Sequence, residues 1–295
     1  MKFHTDDHFV LGGNHALEGK PCQDHALSGL MGDSAYAVLA DGCSTGELTD
    51  IGARITTTAA RTALRNFRAS GEDRLRAQEI DLQQRVMLSS IRETLGLTYK
   101  DMQATCLWAY LSPKGGLVHL RGDGILALAY AGNAYVFRKF EWQDNAPLYP
   151  IYAEDGYAGF KKHHGGDEAL SLLEESAMFA DGEWAMLEQA QHSVAAGIRG
   201  ITVERSAKDA RELEYVALMS DGAAQVDNIG WTEVALELVS FKNSEGAFAK
   251  RRLIRFLKDA RKKGDGPLDD MSLAVIRIDN SKENTDVGQH AQGGA

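Results

Sequence analysis

Apolar positions along the chain fall into two textures. Short unbroken runs such as Ala35-Tyr36-Ala37-Val38-Leu39-Ala40 are too brief for a helix and end in a turn, here Asp41-Gly42, so they read as buried strands. Elsewhere the apolar residues recur three or four apart. Leu48, Ile51, Ile55, Ala59, Ala63 and Phe67 predict an amphipathic helix, with Ser44 and Thr45 available as caps and Glu47 in its first turn. After the charged break Ser70-Gly71-Glu72-Asp73, Leu82, Val86, Ile91 and Leu95 predict a second helix of the same period. The two are expected to pack together on one side of a sheet.

From Ala104 to Phe140 the texture changes to short aliphatic and aromatic runs punctuated by Pro113-Lys114-Gly115-Gly116, Gly122-Asp123-Gly124 and Ala131-Gly132-Asn133, a pattern of antiparallel hairpins. The stretch from Tyr149 to Ser176, with Asp155-Gly156, His163-His164 and Gly165-Gly166, has weak periodicity and reads as an exposed excursion. Its histidines are expected on a solvated loop. A second buried strand, Glu214 to Ser220, ends in Asp221-Gly222; helical patterns follow around Thr232 to Phe241 and Ala247 to Ala260, then a last strand from Ser272 to Ile278. Helices grouped in blocks between runs of strands predict an α+β layered fold rather than alternating βαβ units. With no Pro- or Ser-rich linker, residues 1–279 are expected to form one domain with a flap-like insertion at about 150–176, and the polar tail 280–295 to be disordered.

Composition narrows the class. With 44% hydrophobic and 25% charged residues and only 5 prolines in 295, the chain is an ordinary globular protein, not a low-complexity, collagen-like or coiled-coil one. Its 32 Lys+Arg against 42 Asp+Glu give a net charge of −10, which argues against nucleic acid as a partner. No run approaches the roughly 20 apolar residues of a membrane helix, and the acidic start, Met1 to His8, is unlike a signal peptide, so a cytoplasmic protein with no membrane partner is expected. Three cysteines, Cys22, Cys43 and Cys106, show neither a disulfide framework nor paired zinc-ligand spacing.

The chemistry lies in the acidic turns. An aspartate ending an apolar strand and followed by glycine has a stiff backbone behind it and an open turn ahead, with the glycine carbonyl as a further hard-oxygen ligand. Asp41-Gly42, Asp221-Gly222 and Gly122-Asp123-Gly124 offer this arrangement; Asp269 stands just before the final strand and Asp24 near the first. Each one alone is an ordinary turn dipeptide. As a set beside the most apolar strands they fit a shared divalent-metal site, because converging carboxylates must either take up protons or be offset by cations.

The succession Cys22-Gln23-Asp24, Ala40-Asp41-Gly42 running into Gly52-Ala53, Ala104-Thr105, Gly122-Asp123-Gly124, Ser220-Asp221-Gly222 and Asp269-Asp270-Met271-Ser272 resembles the metal-dependent PP2C-type (PPM) protein serine/threonine phosphatases, in the family's order over nearly the whole chain. Gly12-Gly13-Asn14-His15, Pro21 to His25 and Asn145 to Tyr149 resemble its bacterial branch. The resemblance implies a four-layer αββα sandwich of two antiparallel sheets flanked by helix pairs, with a two-metal centre at one end. It implies that Asp41 bridges two Mn²⁺ or Mg²⁺ ions, that the Gly42 carbonyl completes one, that Asp221 and Asp269 hold the other, that Asp123 shares a looser third ion with Asp221, and that Asp24 lies beside the first. Catalytic Asp41, Asp221 and Asp269 would then support hydrolysis of phosphoserine and phosphothreonine in protein substrates, by attack of a metal-bridging water or hydroxide.

Two departures from the family pattern stand out. Gln23 occupies the place of a glutamate ligand, leaving that ion more weakly held or bound through water. The phosphate-binding arginine expected upstream falls near Gly19 and Lys20, so His15 or Lys20, together with Gln23, is expected to meet the phosphate, with His15 preferred. A leaving-group acid in the position of Cys43 is missing, which leaves the role vacant or to His25 or water. The alternative reading is a catalytically weak relative that serves as a regulatory or phosphoprotein-binding module.

Overall fold

The computed structural model describes residues 1–280; the tail expected to be disordered lies outside them apart from Asn280. In chain order the elements are β1 (Lys2–Val10), α1 (Gly13–Glu18), β2 (His25–Met31), β3 (Ser34–Ala40), α2 (Thr49–Ser70), α3 (Ala77–Leu95), β4 (Cys106–Ser112), β5 (Gly115–Arg121), β6 (Gly124–Tyr130), β7 (Ala134–Trp142), α4 (Tyr157–His163), β8 (Leu170–Ala180), β9 (Glu183–Ser193), α5 (Val194–Arg199), β10 (Ile201–Ser206), α6 (Ala207–Glu212), β11 (Leu213–Met219), α7 (Trp231–Val239), α8 (Phe248–Lys263) and β12 (Met271–Asp279). Among them no helix is long and apolar enough to cross a membrane.

The strands form two antiparallel sheets, β1-β12-β11-β6-β7-β8-β9 and β10-β5-β4-β3-β2. Alternation along each strand sends one set of side chains inward and the other toward helices. Leu39, Leu107, Leu111 and Val118 of the five-stranded sheet meet Leu126, Leu128, Leu218, Phe140 and Ile276 of the seven-stranded one in the central core. The opposite face of the small sheet, with Tyr36, Val38, Trp108 and Tyr110, packs on Ala60, Leu64, Phe67 and Ile80 of α2 and α3. Ile125, Phe137, Ala217 and Leu273 pack on Val234, Leu238, Leu253 and Phe256 of α7 and α8. The result is the expected αββα sandwich.

Three local expectations need correction. The helix α3 forms, but Leu82, Val86 and Leu95 lie in solvent, and its buried face is Ala77, Ile80, Gln84 and Leu88. The polar Gln84 belongs on that face because its Nε2 donates to the Thr56 carbonyl (3.1 Å) and approaches Cys106 Sγ (3.2 Å). Ser44 and Thr45 do not cap α2, which starts after Leu48 without a side-chain cap. The segment after Tyr149 is no exposed excursion: Pro150, Ile151, Phe160 and Leu172 are buried, α4 lies within it and β8 begins at Leu170. His164 is likewise buried, against Trp142 and Phe160, with Nε2 bonded to the Ala146 carbonyl at 3.0 Å.

Candidate metal and phosphate site

Strand register assembles the site. In the β2–β3 pair His25 faces Ala40, so Asp24 and Asp41, one residue beyond each, leave the small sheet at the same end. The β5–β6 corner, Gly122-Asp123-Gly124, carries the chain from the small sheet to the large one. In the large sheet Met219 of β11 pairs with Leu273 of β12, so Asp221 follows and Asp269 precedes their strands at one end.

Hydrogen bonds join the two sheets there. Ser220 Oγ donates to Asp24 Oδ2 at 2.6 Å and accepts from the Ser272 N–H at 2.9 Å. Gly222 sits so close to β12 that a Cβ on it would meet the Asp270 carbonyl oxygen at 1.8 Å, so no other residue fits between the two Asp-bearing turns. Asp41 is tied to Thr105 on both sides: its N–H donates to Thr105 Oγ1 (3.0 Å) and its carbonyl accepts from the Thr105 N–H (2.8 Å). Gly42 N–H donates to the Gln23 carbonyl at 3.2 Å, which brings the Gln23-Asp24 turn against Asp41-Gly42.

Negative charge accumulates at this end. Burial, followed by the charges of Asp24 and Asp221, raises the Asp41 pKa well above its ordinary value. Burial and then Asp221 do the same to Asp123, and burial pushes Asp24 up to about 8 despite the Ser220 hydrogen bond. Asp269 is raised by burial and by Asp221. The charge of Asp221 is common to all four. Asp24 Oδ1, Asp221 Oδ1 and Gln23 Oε1 are buried with no hydrogen-bond partner, while Asp221 Oδ2 accepts from Gln225 Nε2 at 2.7 Å. Buried acceptor oxygens of this kind, set among repelling carboxylates, fit hard divalent cations. The Gln23 side chain is oriented by donation from its Nε2 to Thr49 Oγ1 at 2.7 Å.

Asp270, next to Asp269, is a different kind of residue. Its Oδ1 accepts from the Gly12 N–H (2.7 Å), and its Oδ2 from the Gln23 N–H (2.6 Å) while lying 2.9 Å from His15 Nδ1. It is 2% exposed and holds residues 12–23 down on the site. The donor atoms of His15, Asp269 and Asp270 all lie within 4.8 Å of one another, but those of His15 and Asp270 are occupied in this clamp. Sequence reasoning missed Asp270, Ser220 and Thr105; only the Asp-Asp doublet and the Ser-Asp-Gly and Ala-Thr motifs signalled them.

The two phosphate candidates diverge. His15 is buried and its Nδ1 is engaged by Asp270, whereas Lys20 is 38% exposed by side chain, pairs with Glu18 at 2.7 Å and donates to the Ser44 carbonyl at 3.2 Å, three residues past Asp41. His25 bonds Thr57 Oγ1 through Nδ1 (2.7 Å), stacks near Phe9, and is driven by burial and then Arg54 to a pKa of about 4, so it is neutral at neutral pH and no proton donor.

Residues 11–149 match the family model for Protein phosphatase 2C. Crystal structures superimpose over nearly the full length: a bacterial serine phosphatase (TM-score 0.53, 12% identity, 95% of this chain and 99% of that chain), the serine/threonine phosphatase Stp1 from Staphylococcus aureus (0.53, 11%, 95% and 96%) and the S. agalactiae serine/threonine phosphatase (0.51, 14%, 94% and 100%). No curated protein matches the chain in sequence. Residues 11–149 are thus similar to the Protein phosphatase 2C family, and the chain shares the fold of these bacterial phosphatases over nearly its whole length.

Proposed function

We propose that this protein is a Mn²⁺- or Mg²⁺-dependent phosphatase of phosphoserine and phosphothreonine in proteins. The observation that supports it most is the set Asp24, Asp41, Asp123, Asp221 and Asp269, with Asp24 and Asp123 buried and the other three half-buried, the charge of Asp221 acting on the other four, and acceptor oxygens on Asp24 and Asp221 left over for a cation. Asp41, the Gly42 carbonyl, Asp221 and Asp269 would hold two ions, and Asp123 with Asp221 a third; Asp24 and the neutral oxygen of Gln23 complete the surroundings. When bound, such ions lower the pKa of water toward neutrality and offset charge on phosphoryl oxygens during in-line attack. The remaining tasks fall to the chain itself. Ser220 fixes Asp24, Thr105 fixes the Asp41 backbone, Gln225 fixes one oxygen of Asp221, and Asp270 with His15 holds residues 12–23 in place. Lys20 at the rim is better placed than His15 to meet a phosphate.

Para-nitrophenyl phosphate and a phosphothreonine peptide should both be hydrolysed in Mn²⁺ and not in EDTA. Equal rates in EDTA, or none in saturating Mn²⁺ or Mg²⁺, would reject the proposal.

A further inference from the structure

Thr105 stands where three parts of the site meet. It follows the isolated bridge between Gly42 and Ala104 and immediately precedes β4. Its hydroxyl accepts the Asp41 N–H at 3.0 Å and its own N–H donates to the Asp41 carbonyl at 2.8 Å, so both backbone groups of Asp41 end on one residue. Its methyl side serves another turn. Gly122 has φ +110°, and a Cβ built on it would lie 2.6 Å from Thr105 Cγ2 and 2.7 Å from Thr105 Cβ. The Gly122-Asp123-Gly124 corner therefore rests directly on the Thr105 side chain. Thr105 itself is 2% exposed.

We infer that Thr105 is a positioning residue that sets Asp41 and Asp123 relative to each other, its hydroxyl governing the first and its methyl the second. The inference rests on reading these carboxylates as metal ligands. A β-branched hydroxyl residue is the one side chain that supplies both contacts from a single Cβ: serine keeps the oxygen and loses the methyl, and valine keeps the methyls and loses the acceptor. Groups that orient ligands without touching the ion typically change metal affinity by about 10- to 100-fold when removed.

Thr105→Val and Thr105→Ser separate the two contacts. Mn²⁺ binding to the purified full chain, measured by calorimetry and by the loss of the free-ion electron paramagnetic resonance signal, gives a readout independent of turnover. The valine variant should bind its tightest Mn²⁺ about tenfold more weakly and lose kcat toward para-nitrophenyl phosphate with little change in KM. The serine variant should keep that affinity, and weaken only the lower-affinity uptake that depends on Asp123. Far-UV circular dichroism and a melting curve establish that both variants fold; if valine does not, the serine result decides alone. Unchanged Mn²⁺ affinity in a folded valine variant, or the same loss of every affinity class in both variants, overturns the inference. A wild-type chain that takes up no Mn²⁺ or Mg²⁺ at all removes the metal-centre reading itself, and the inference with it.

Discussion

Two groups of buried carboxylates in this molecule behave in opposite ways. At the end of the sandwich, burial and then the charges of neighbouring carboxylates, Asp221 among them, raise the pKa values of Asp24, Asp41 and Asp123, which find few donors. On the β7–β8–β9 part of the large sheet, Glu174 is as buried but fully served. Arg138 Nε and Ser176 Oγ bond its Oε1 at 2.5 and 3.1 Å and His192 Nε2 bonds its Oε2 at 2.7 Å, which holds its pKa below the usual range although burial alone would raise it. Burial is therefore common to both sites, and what differs is compensation. A carboxylate neutralised by its own fold has a structural role, and a cluster left uncompensated is shaped for something the chain does not supply.

The largest effect expected from that contrast is on activity. Under the proposed function Asp41→Asn or Asp221→Asn would remove one anionic ligand, and an ion's contribution of several kcal/mol corresponds to a loss of about 10²- to 10³-fold in kcat/KM. The same substitutions should leave the metal-free protein as stable as wild type or more so, since each removes a repelling charge. A stability loss with near-normal turnover would invert the comparison. Glu174→Gln should do the reverse: a destabilisation of about 1–3 kcal/mol in urea unfolding, moderated because Arg138 is 24% exposed, with kcat per folded molecule unchanged.

The pH dependence of stability separates the two groups by sign. Glu174 has its folded pKa depressed, so its contribution is present above the unfolded value and is lost as pH falls through the folded one; Glu174→Gln should flatten the acid limb below about pH 4.3. Asp24, with its folded pKa raised to about 8, binds more protons folded than unfolded, so metal-free protein should lose stability as pH rises from about 4 toward 8. Chemical unfolding of EDTA-treated protein across that range checks both. A metal-free protein whose stability is flat there, or rises with pH, would show that the cluster's charges are offset within the fold.

Much of this was legible in the chain. The runs ending in Asp41 and Asp221 are unbroken and apolar because β3 and β11 are covered on both faces, by the opposite sheet and by helices, and such strands announce themselves. The strands β1, β9 and β10 escaped notice because they lie at sheet edges, where His, Thr, Glu, Asp, Arg and Gln stand among few large apolar residues; β9 is exposed along most of its length. The α3 period was visible and its face was not, since a hydrogen-bonded Gln84 replaces an apolar residue in the buried stripe. Phe160 and His164 pack from α4 and its C-terminal cap, a helix of 7 residues that is too short to show a period. Within the site, nothing in the doublet Asp269-Asp270 tells which residue faces the cluster: that distinction is made by the Gly12, Gln23 and His15 donors, brought to Asp270 from about 250 residues away along the chain.

That clamp also gives the smallest and most discriminating test. Lys20 is partly exposed and shares its charge with Glu18, so solvent screens it; Lys20→Ala should raise KM for a phosphopeptide by about threefold and leave kcat and the melting temperature nearly unchanged. His15→Ala leaves one Asp270 oxygen with fewer donors at a 2% exposed position, so it should lower the melting temperature and, in the protein that remains folded, move KM less than Lys20→Ala does. The two histidine outcomes are mutually exclusive. A KM rise without a stability loss on replacing His15 would mean that its ring reaches substrate phosphate, and that Asp270 is held well enough by the Gly12 and Gln23 amides alone.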